Sequence, residues 1–141
     1  MAALNETRNT EHNEAAGIAS QGLLLKSGGS GVELTDGVTD LPIGVSAAES
    51  ERDAAGALID GTGSESATVA VYPLSGIVYV KCEEISAANA DFGIPLYVGA
   101  TDGYVSSSSA NSAKKVGHLF QHGEAITAGD LVPMACIGVG L

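Results

Sequence analysis

Aromatic side chains and bases are scarce in this chain of 141 residues. Trp is absent, Phe occurs twice and Tyr four times, so there is little material for a deep ligand cavity lined by aromatic rings. Six Lys and Arg stand against seventeen Asp and Glu, which gives a formal net charge of −11. Because phosphate groups are bound by clustered bases, this balance argues against nucleic acid and against an anionic membrane surface as partners.

Long apolar runs are also missing. No segment approaches the roughly 20 apolar residues that a membrane-spanning helix needs. Residues 1–14 are polar and acidic, so we expect no cleaved secretory signal. The two cysteines, Cys82 and Cys136, fall within predicted strands. A disulfide between them requires those strands to be neighbours, which the sequence leaves open.

The acidic charge has two interpretations. A surface rich in acids and poor in Lys is what a salt-loving (halophilic) host favours, because salt screens the self-repulsion of the folded chain. An ordinary acidic soluble protein explains the same composition equally well.

Short apolar segments alternate with turn residues through most of the chain. This pattern predicts an all-β domain over residues 18–141, a small barrel or sandwich with at most one short helix, at Ala47–Ala57. Two hairpins are expected, one over Ala67–Cys82 and one around Thr101–Gly103. The predicted strands are Gln21–Lys26, Val32–Thr35, Leu41–Ser46, the two arms of each hairpin, Val116–Gln121 and Leu131–Val139.

Residues 1–17 differ from the rest of the chain. They show neither helical nor alternating apolar periodicity, and they lack the apolar content to fold alone. We interpret them as an extended N-terminal arm that orders on a partner; the alternative is a frayed terminus without a role. The side chains expected to bind through this arm are Asn5, Thr7, Arg8, Asn9, Thr10 and Asn13.

The segment Leu131–Val139 is apolar on both faces of its predicted strand. In so small a domain, a strand with two apolar faces predicts that one of them meets another subunit. We therefore expect a closed homo-oligomer. The side chains assigned to its subunit interface are Leu131, Val132, Met134, Ile137 and Val139.

Groups that could perform chemistry are few and poorly placed. His118 and His122 are four apart, but on a strand this separation is about 13 Å, too far for one metal ion, and His12 is no convincing third ligand. Ser106–Ser109 lie in a polar loop without the context of a catalytic serine. Glu83 and Glu84 point to opposite faces of a strand and cannot act as a pair. We expect no metal site, no cofactor and no enzymatic activity.

The order of several short motifs resembles the capsid decoration, or head cementing, proteins of tailed viruses. The resemblance covers roughly residues 40–141. It rests on Leu41–Val45, on Gly76 before Ile77–Val80, on Leu96–Val98 with Gly103, on Lys115–Leu119 and on Ala128–Val132. Departures are the long loop Ala87–Ile94, His118 at a position where a small apolar residue is more usual, and the strongly acidic surface.

This resemblance implies a compact β-barrel-like fold, usually trimeric, on the outer surface of an icosahedral virion shell. Such proteins clamp neighbouring major capsid subunits, and some use an extended N-terminal arm. The competing interpretation is a non-catalytic adhesion or receptor-binding module on a virion or cell surface. That class is expected to expose aromatic side chains or clustered polar residues at loop tips for sugar or receptor contact, and only Tyr104 approaches this.

Overall fold

Ten short strands form the described part of the protein. The computed structural model describes residues 9–12, 17–28, 31–59, 68–121 and 123–136. The strands are β1 (Asn9–His12), β2 (Leu24–Ser27), β3 (Val32–Leu34), β4 (Pro42–Ser46), β5 (Thr68–Pro73), β6 (Ile77–Lys81), β7 (Pro95–Val98), β8 (Val105–Ser106), β9 (Lys115–Leu119) and β10 (Leu131–Cys136). A 3-10 turn at Ala110–Ser112 is the only helical element among these residues.

The strands make two five-stranded antiparallel sheets. The first has the order β1-β5-β4-β2-β3, and the second has the order β6-β10-β9-β7-β8. The predicted all-β class is therefore confirmed, with the two sheets arranged as in a β-sandwich. Each sheet is built from one continuous half of the sequence.

The main core lies between the two sheets. Leu24 and Val45 of the first sheet pack in one cluster with buried residues of the second, including Val80, Leu96 and Met134. A smaller cluster around Leu25 lies on the other face of the first sheet. Because Leu24 and Leu25 are neighbours that both have no exposed surface, the first sheet is buried on both faces at this point.

The predicted hairpin over Ala67–Cys82 is wrong. Its two arms are strands, as expected, but β5 pairs with β1 and β4, whereas β6 pairs with β10. The connecting residues 74–76 cross from one sheet to the other, with Gly76 at a φ of 63°. Local turn signals predicted the reversal of the chain, but β6 obtains a five-residue partner from β10, far along the sequence.

The helix predicted at Ala47–Ala57 is also wrong. The segment instead folds back on itself, with an isolated bridge between Arg52 and Leu58. One carboxylate oxygen of Asp53 accepts the N–H groups of Ala55 and Ala57, at 2.9 and 3.0 Å. Aspartate competes in this way for the main-chain donors that a helix would use, and residues 51–57 are all exposed, so no packing favours a helix.

Strand β1 belongs to the segment interpreted as an arm. Its residues Asn9–His12 pair in antiparallel register with Thr68–Val71 and form an edge of the first sheet. Asn9 and Thr10 thus have main-chain partners within their own chain. The remaining predicted arm residues, Asn5, Thr7, Arg8 and Asn13, lie outside the described residues, so the arm boundary at residue 17 stays a prediction.

The predicted hairpin around Thr101–Gly103 is confirmed. Strand β7 pairs with β8, Gly103 has a φ of 75°, and its N–H and C=O bond to Thr35 and Leu24 of the first sheet. The tip of this hairpin therefore ties the second sheet to the first.

Candidate interaction surface

The outer face of the second sheet carries rows of apolar side chains across its strands. In one row Tyr79 of β6 lies opposite Pro133 of β10, whose carbonyl accepts the N–H of Phe120 at 2.9 Å. In the next row Ile77 lies opposite Ala135, which is followed by His118 and Pro95. We call this surface the apolar face; its members are Ile77, Tyr79, Pro95, His118, Phe120, Leu131, Pro133 and Ala135.

Four of these side chains are unusually accessible for large apolar residues, and the other four are partly buried. Tyr79 is 62% exposed, Phe120 45%, Leu131 38% and Ile77 37%. None of the eight members is acidic, although the chain carries a net charge of −11. Contiguous apolar surface of this kind on a soluble protein typically marks an interaction site.

Phe92 extends the apolar face into a neighbouring loop, where its ring packs against that of Phe120. The rings of Phe92 and Phe120 pack with their centroids 4.9 Å apart, and Phe92 is 55% exposed. The loop that carries Phe92 is held in place because Gly93 donates its N–H to Leu119 at 2.8 Å, and its carbonyl lies 3.0 Å from Nδ1 of His118. The aromatic pair is therefore presented on a fixed support.

The structure divides the residues predicted to form a subunit interface. Leu131 lies on the apolar face, but Val132 and Met134 point inward and are 1% and 0% exposed in the chain's own core. Alternation along β10 explains the division, since successive side chains of a strand point to opposite faces. Ile137 and Val139 lie outside the described residues. Of the described three, Leu131 alone can contact another subunit in this fold.

The sequence-based reasoning did not identify Tyr79, Pro133, Phe92 or Phe120 as site residues. Their proximity depends on which strands pair and in what register, and this is non-local information. The signal that could have indicated the pair is scarcity, because Phe92 and Phe120 are the only phenylalanines of the chain. Tyr104, the expected loop-tip aromatic, is instead half-buried against the smaller core cluster.

The groups considered for catalysis are dispersed. No three His, Cys, Asp or Glu side chains come together as a metal site within the described ranges. His118 contacts the carbonyl of Gly93, whereas His122 lies outside those ranges. Glu83 accepts the N–H of Thr101 at 2.7 Å, a contact that supports a turn. Ser106 is buried, and its hydroxyl accepts the N–H of Ser108.

The ammonium group of Lys26, near the end of β2, forms ion pairs with three carboxylates. Its Nζ lies 3.4 Å from Glu33 and 3.2 Å from Asp40, and it donates a hydrogen bond to Asp36. Chiefly because of the bond to Asp36, the pKa of Lys26 is raised above its ordinary value. Partial burial of Asp40 opposes its ionisation, but N–H donors from Asp36 and Gly37, together with Lys26, lower its pKa. The stability that this carboxylate contributes is present above its ordinary pKa of 3.8 and is lost as the pH falls through the lowered value.

The two cysteines are free thiols. Strands β6 and β10 are neighbours, but the cysteines lie at opposite ends of the pair. The main-chain N–H of Cys82 donates to the carbonyl of Asp130 at one end, and that of Cys136 donates to the carbonyl of Gly76 at the other. Six residues of strand separate these positions, about 20 Å, which is too far for a disulfide. Burial raises the pKa of Cys136 to about 11; burial, with the nearby charges of Glu83 and Asp130, raises that of Cys82 to about 12.

We therefore expect both thiols to resist alkylation in the folded protein near neutral pH, because the thiolate is the reactive form. Cys136, which is half-buried, should react before the fully buried Cys82, and its rate should rise as the pH approaches 11. Mass spectrometry after timed iodoacetamide treatment measures this, with the denatured chain as the fast-reacting control. Equal labelling rates for the two cysteines would contradict the structure.

Comparison with known proteins identifies no family for this chain: it matches no protein-family model and no curated protein sequence. None of the helical segments in the described ranges is long and apolar enough to cross a membrane.

Proposed function

We propose that this protein is a structural virion protein that binds the outer surface of an icosahedral capsid and stabilises its major capsid subunits. The observation that carries the proposal is the apolar face of the second sheet, which offers accessible Tyr79, Phe120 and Leu131 without any acidic side chain. Aromatic residues are enriched, and charged residues depleted, at the centres of protein–protein interfaces. The order of motifs that resembles decoration proteins supports the same function.

Stabilising capsid subunits requires a large contact area rather than reactive side chains. A decoration protein acts through many identical copies, and contacts made by linked copies add through avidity. In this proposal the apolar face packs against the major capsid protein, and the segment before β1 extends along a neighbouring shell subunit. The protein is a homotrimer on the shell, and it needs neither a cofactor nor a catalytic residue.

A second candidate function is adhesion or receptor binding. The exposed Phe92–Phe120 pair favours it, because the pair lies where two loops meet and is held by main-chain hydrogen bonds. Under this alternative the aromatic pair contacts a receptor, and the protein has no fixed position on a capsid lattice.

Imaging of capsids from the culture that produces this protein separates the two functions. A capsid-stabilising protein should co-purify with capsids and occupy a fixed lattice position on their outer surface. Binding to cells by the purified protein, with no density on the shells, would reject the capsid role and favour adhesion.

The acidic surface leads to an expected salt dependence of stability. Within the described residues, Lys26 and Arg52 are the cations that form ion pairs, and they pair with Glu33, Asp36, Asp40 and Glu49. The other eight of the twelve acids whose side chains the structure describes form no ion pair with a described base that would offset their mutual repulsion. Raising the salt concentration from about 10 mM to about 1 M shortens the Debye length from about 30 to 3 Å. We expect the melting temperature to rise over this range. A flat or falling melting temperature would contradict the proposed adaptation to high salt.

A further inference from the structure

Two segments of the chain continue the second sheet beyond one end of its strands, and we call them together the acidic rim. Residues 82–91 follow β6, and residues 123–130 precede β10. Main-chain hydrogen bonds of 2.8–3.1 Å join the two segments at three levels, between Cys82 and Asp130, between Ile85 and Ile126, and between Ala90 and Gly123. The rim therefore has a defined position relative to the strands of the second sheet.

The acidic rim carries a net negative charge. Its two segments contain five acids and neither Lys nor Arg. The four of these acids that are exposed are Glu84, Asp91, Glu124 and Asp130. None of the five forms an ion pair with a base in the described part of the chain. Lys81, which lies opposite Leu131 at the end of β6, offsets one of these charges at most, so the rim presents negative charge to any partner.

The acidic rim borders the apolar face along one end. Asp91 directly precedes the exposed Phe92, and Asp130 directly precedes the exposed Leu131. The exposed Lys115, at the start of β9, lies toward the opposite end of the face, about 17 Å away over the length of that strand. This distance exceeds the Debye length of about 8 Å at physiological salt. A partner therefore meets an acidic end and a basic end of the face separately.

These charges restrict the partner that can cover the apolar face. A surface placed over the face also meets the rim, and like charges opposite one another there oppose binding. A second copy of this chain brings a charge of −11 and offers only Lys114 and Lys115 as adjacent bases, against five acids of the rim. A small cation neutralises the rim but leaves the apolar side chains in water. A protein surface with both apolar and basic side chains satisfies both parts.

We propose that the apolar face binds a protein surface that is apolar at its centre and carries clustered Lys and Arg at one end, where it meets the acidic rim. The inference rests on the proposed function only for the identity of that partner, the major capsid protein. It adds the chemistry of the contacted surface and the orientation of this protein on it. The apolar centre supplies most of the affinity, whereas the charged end raises the association rate and fixes the register.

Neutralising the acidic rim tests this inference without altering the apolar face. The rim variant combines changes at three exposed acids, Glu84→Gln, Asp91→Asn and Glu124→Gln. The matched control removes three charges from exposed acids outside the rim, by Glu51→Gln, Asp53→Asn and Asp102→Asn. The Asp53→Asn change keeps an acceptor oxygen for the main-chain N–H groups that bond there. Circular dichroism at each salt concentration used establishes that both variants are folded.

Rates of attachment to shells separate the inference from the capsid function. At about 10 mM salt, the rim variant should attach to immobilised undecorated shells at least about tenfold more slowly than the unaltered protein, and the control within about threefold of it. The difference should shrink at about 0.15 M salt, because the Debye length falls from about 30 to about 8 Å. Surface plasmon resonance measures these rates. Equal rates for the two triple variants overturn the inference and leave the capsid function intact.

A peptide of alternating Leu and Lys tests the same surface without shells. Its addition should change the NMR chemical shifts of Ile77, Phe92 and Phe120, and it should bind the rim variant at least about tenfold more weakly than the control. The same peptide with Glu in place of Lys should not bind. Equal binding to both variants, or shifts spread evenly over the protein, would contradict the inference. Peptide binding at the apolar face by a protein that never attaches to shells supports the inference and rejects the capsid function alone.

Discussion

In the proposed capsid role, replacing both Tyr79 and Phe120 by Asp should reduce attachment to undecorated shells by at least about 100-fold, equivalent to about 2.7 kcal/mol. The two side chains lie in one cross-strand row of the apolar face and are 62% and 45% exposed. An interface that covers them would have to bury two unpaired carboxylates, which is costly without a compensating partner. Titration of shells with the variant, scored by occupancy in images, measures the loss.

The double variant Leu41→Asp, Ile43→Asp is the matched control, since it adds the same two negative charges at exposed apolar positions. Leu41 is 53% exposed and lies beside β4 with Ile43 and Leu74, in a shallow apolar depression separate from the apolar face. It should bind shells as the unaltered protein does. If the control and the Tyr79, Phe120 variant lose shell attachment equally, then added negative charge, rather than the position of the apolar face, weakens attachment. Melting curves of both variants establish that each is folded.

A methyl group at Gly117 should destabilise the protein by about 1–3 kcal/mol, the usual cost of overpacking a well-packed site. Gly117 lies in β9 opposite Cys136, and an added Cβ would stand 2.7 Å from Cγ of Met134 and still closer to the carbonyl oxygen of Ala135. The carbonyl belongs to the main chain of β10, so relief requires β9 and β10 to move apart. We expect Gly117→Ala to lower the melting temperature by about 3–10 °C.

Gly37→Ala is the appropriate comparison for Gly117→Ala. The atoms nearest to an added Cβ at Gly37 belong to the carboxyl group of Asp40, at ordinary contact distances from 3.6 Å, and the hydrogen bond from the Gly37 N–H to that carboxyl is retained. Its melting temperature should stay within about 2 °C of the unaltered protein, as is usual for surface substitutions. A Gly117→Ala variant as stable as Gly37→Ala would mean that the spacing of β9 and β10 is looser than described.

The elements that could be predicted from the sequence are those determined by local chemistry. Alternating apolar residues located most strands, and Thr101–Gly103 correctly indicated the β7–β8 hairpin, since glycine there adopts a positive φ. The β5–β6 connection shows the limit of this reasoning. Its turn residues indicate a hairpin just as clearly, yet the two strands belong to different sheets. Strand β6 pairs with β10, far along the sequence, and not with β5.

The candidate surface was predictable only in part. The two apolar faces of Leu131–Val139 predicted an interface with another subunit, and this stays a prediction. Which side chains remain accessible depends on register, since Val132 is in the core while its neighbour Leu131 is 38% exposed. The row of Tyr79, Pro133 and Phe120 joins positions more than fifty residues apart along the chain, and no local pattern records such a row.

The division of the two sheets between successive halves of the chain has a consequence during synthesis. Every strand of the first sheet is synthesised before Ile77 of β6 is made. At about 5–20 residues per second, residues 77–136, which contain the second sheet, follow over roughly 3–12 s. Until then the Leu24 and Val45 side of the first sheet has no counterpart to cover it. The nascent chain is thus most accessible to chaperones and proteases, and most prone to mispairing, between the synthesis of the first sheet and the completion of the second.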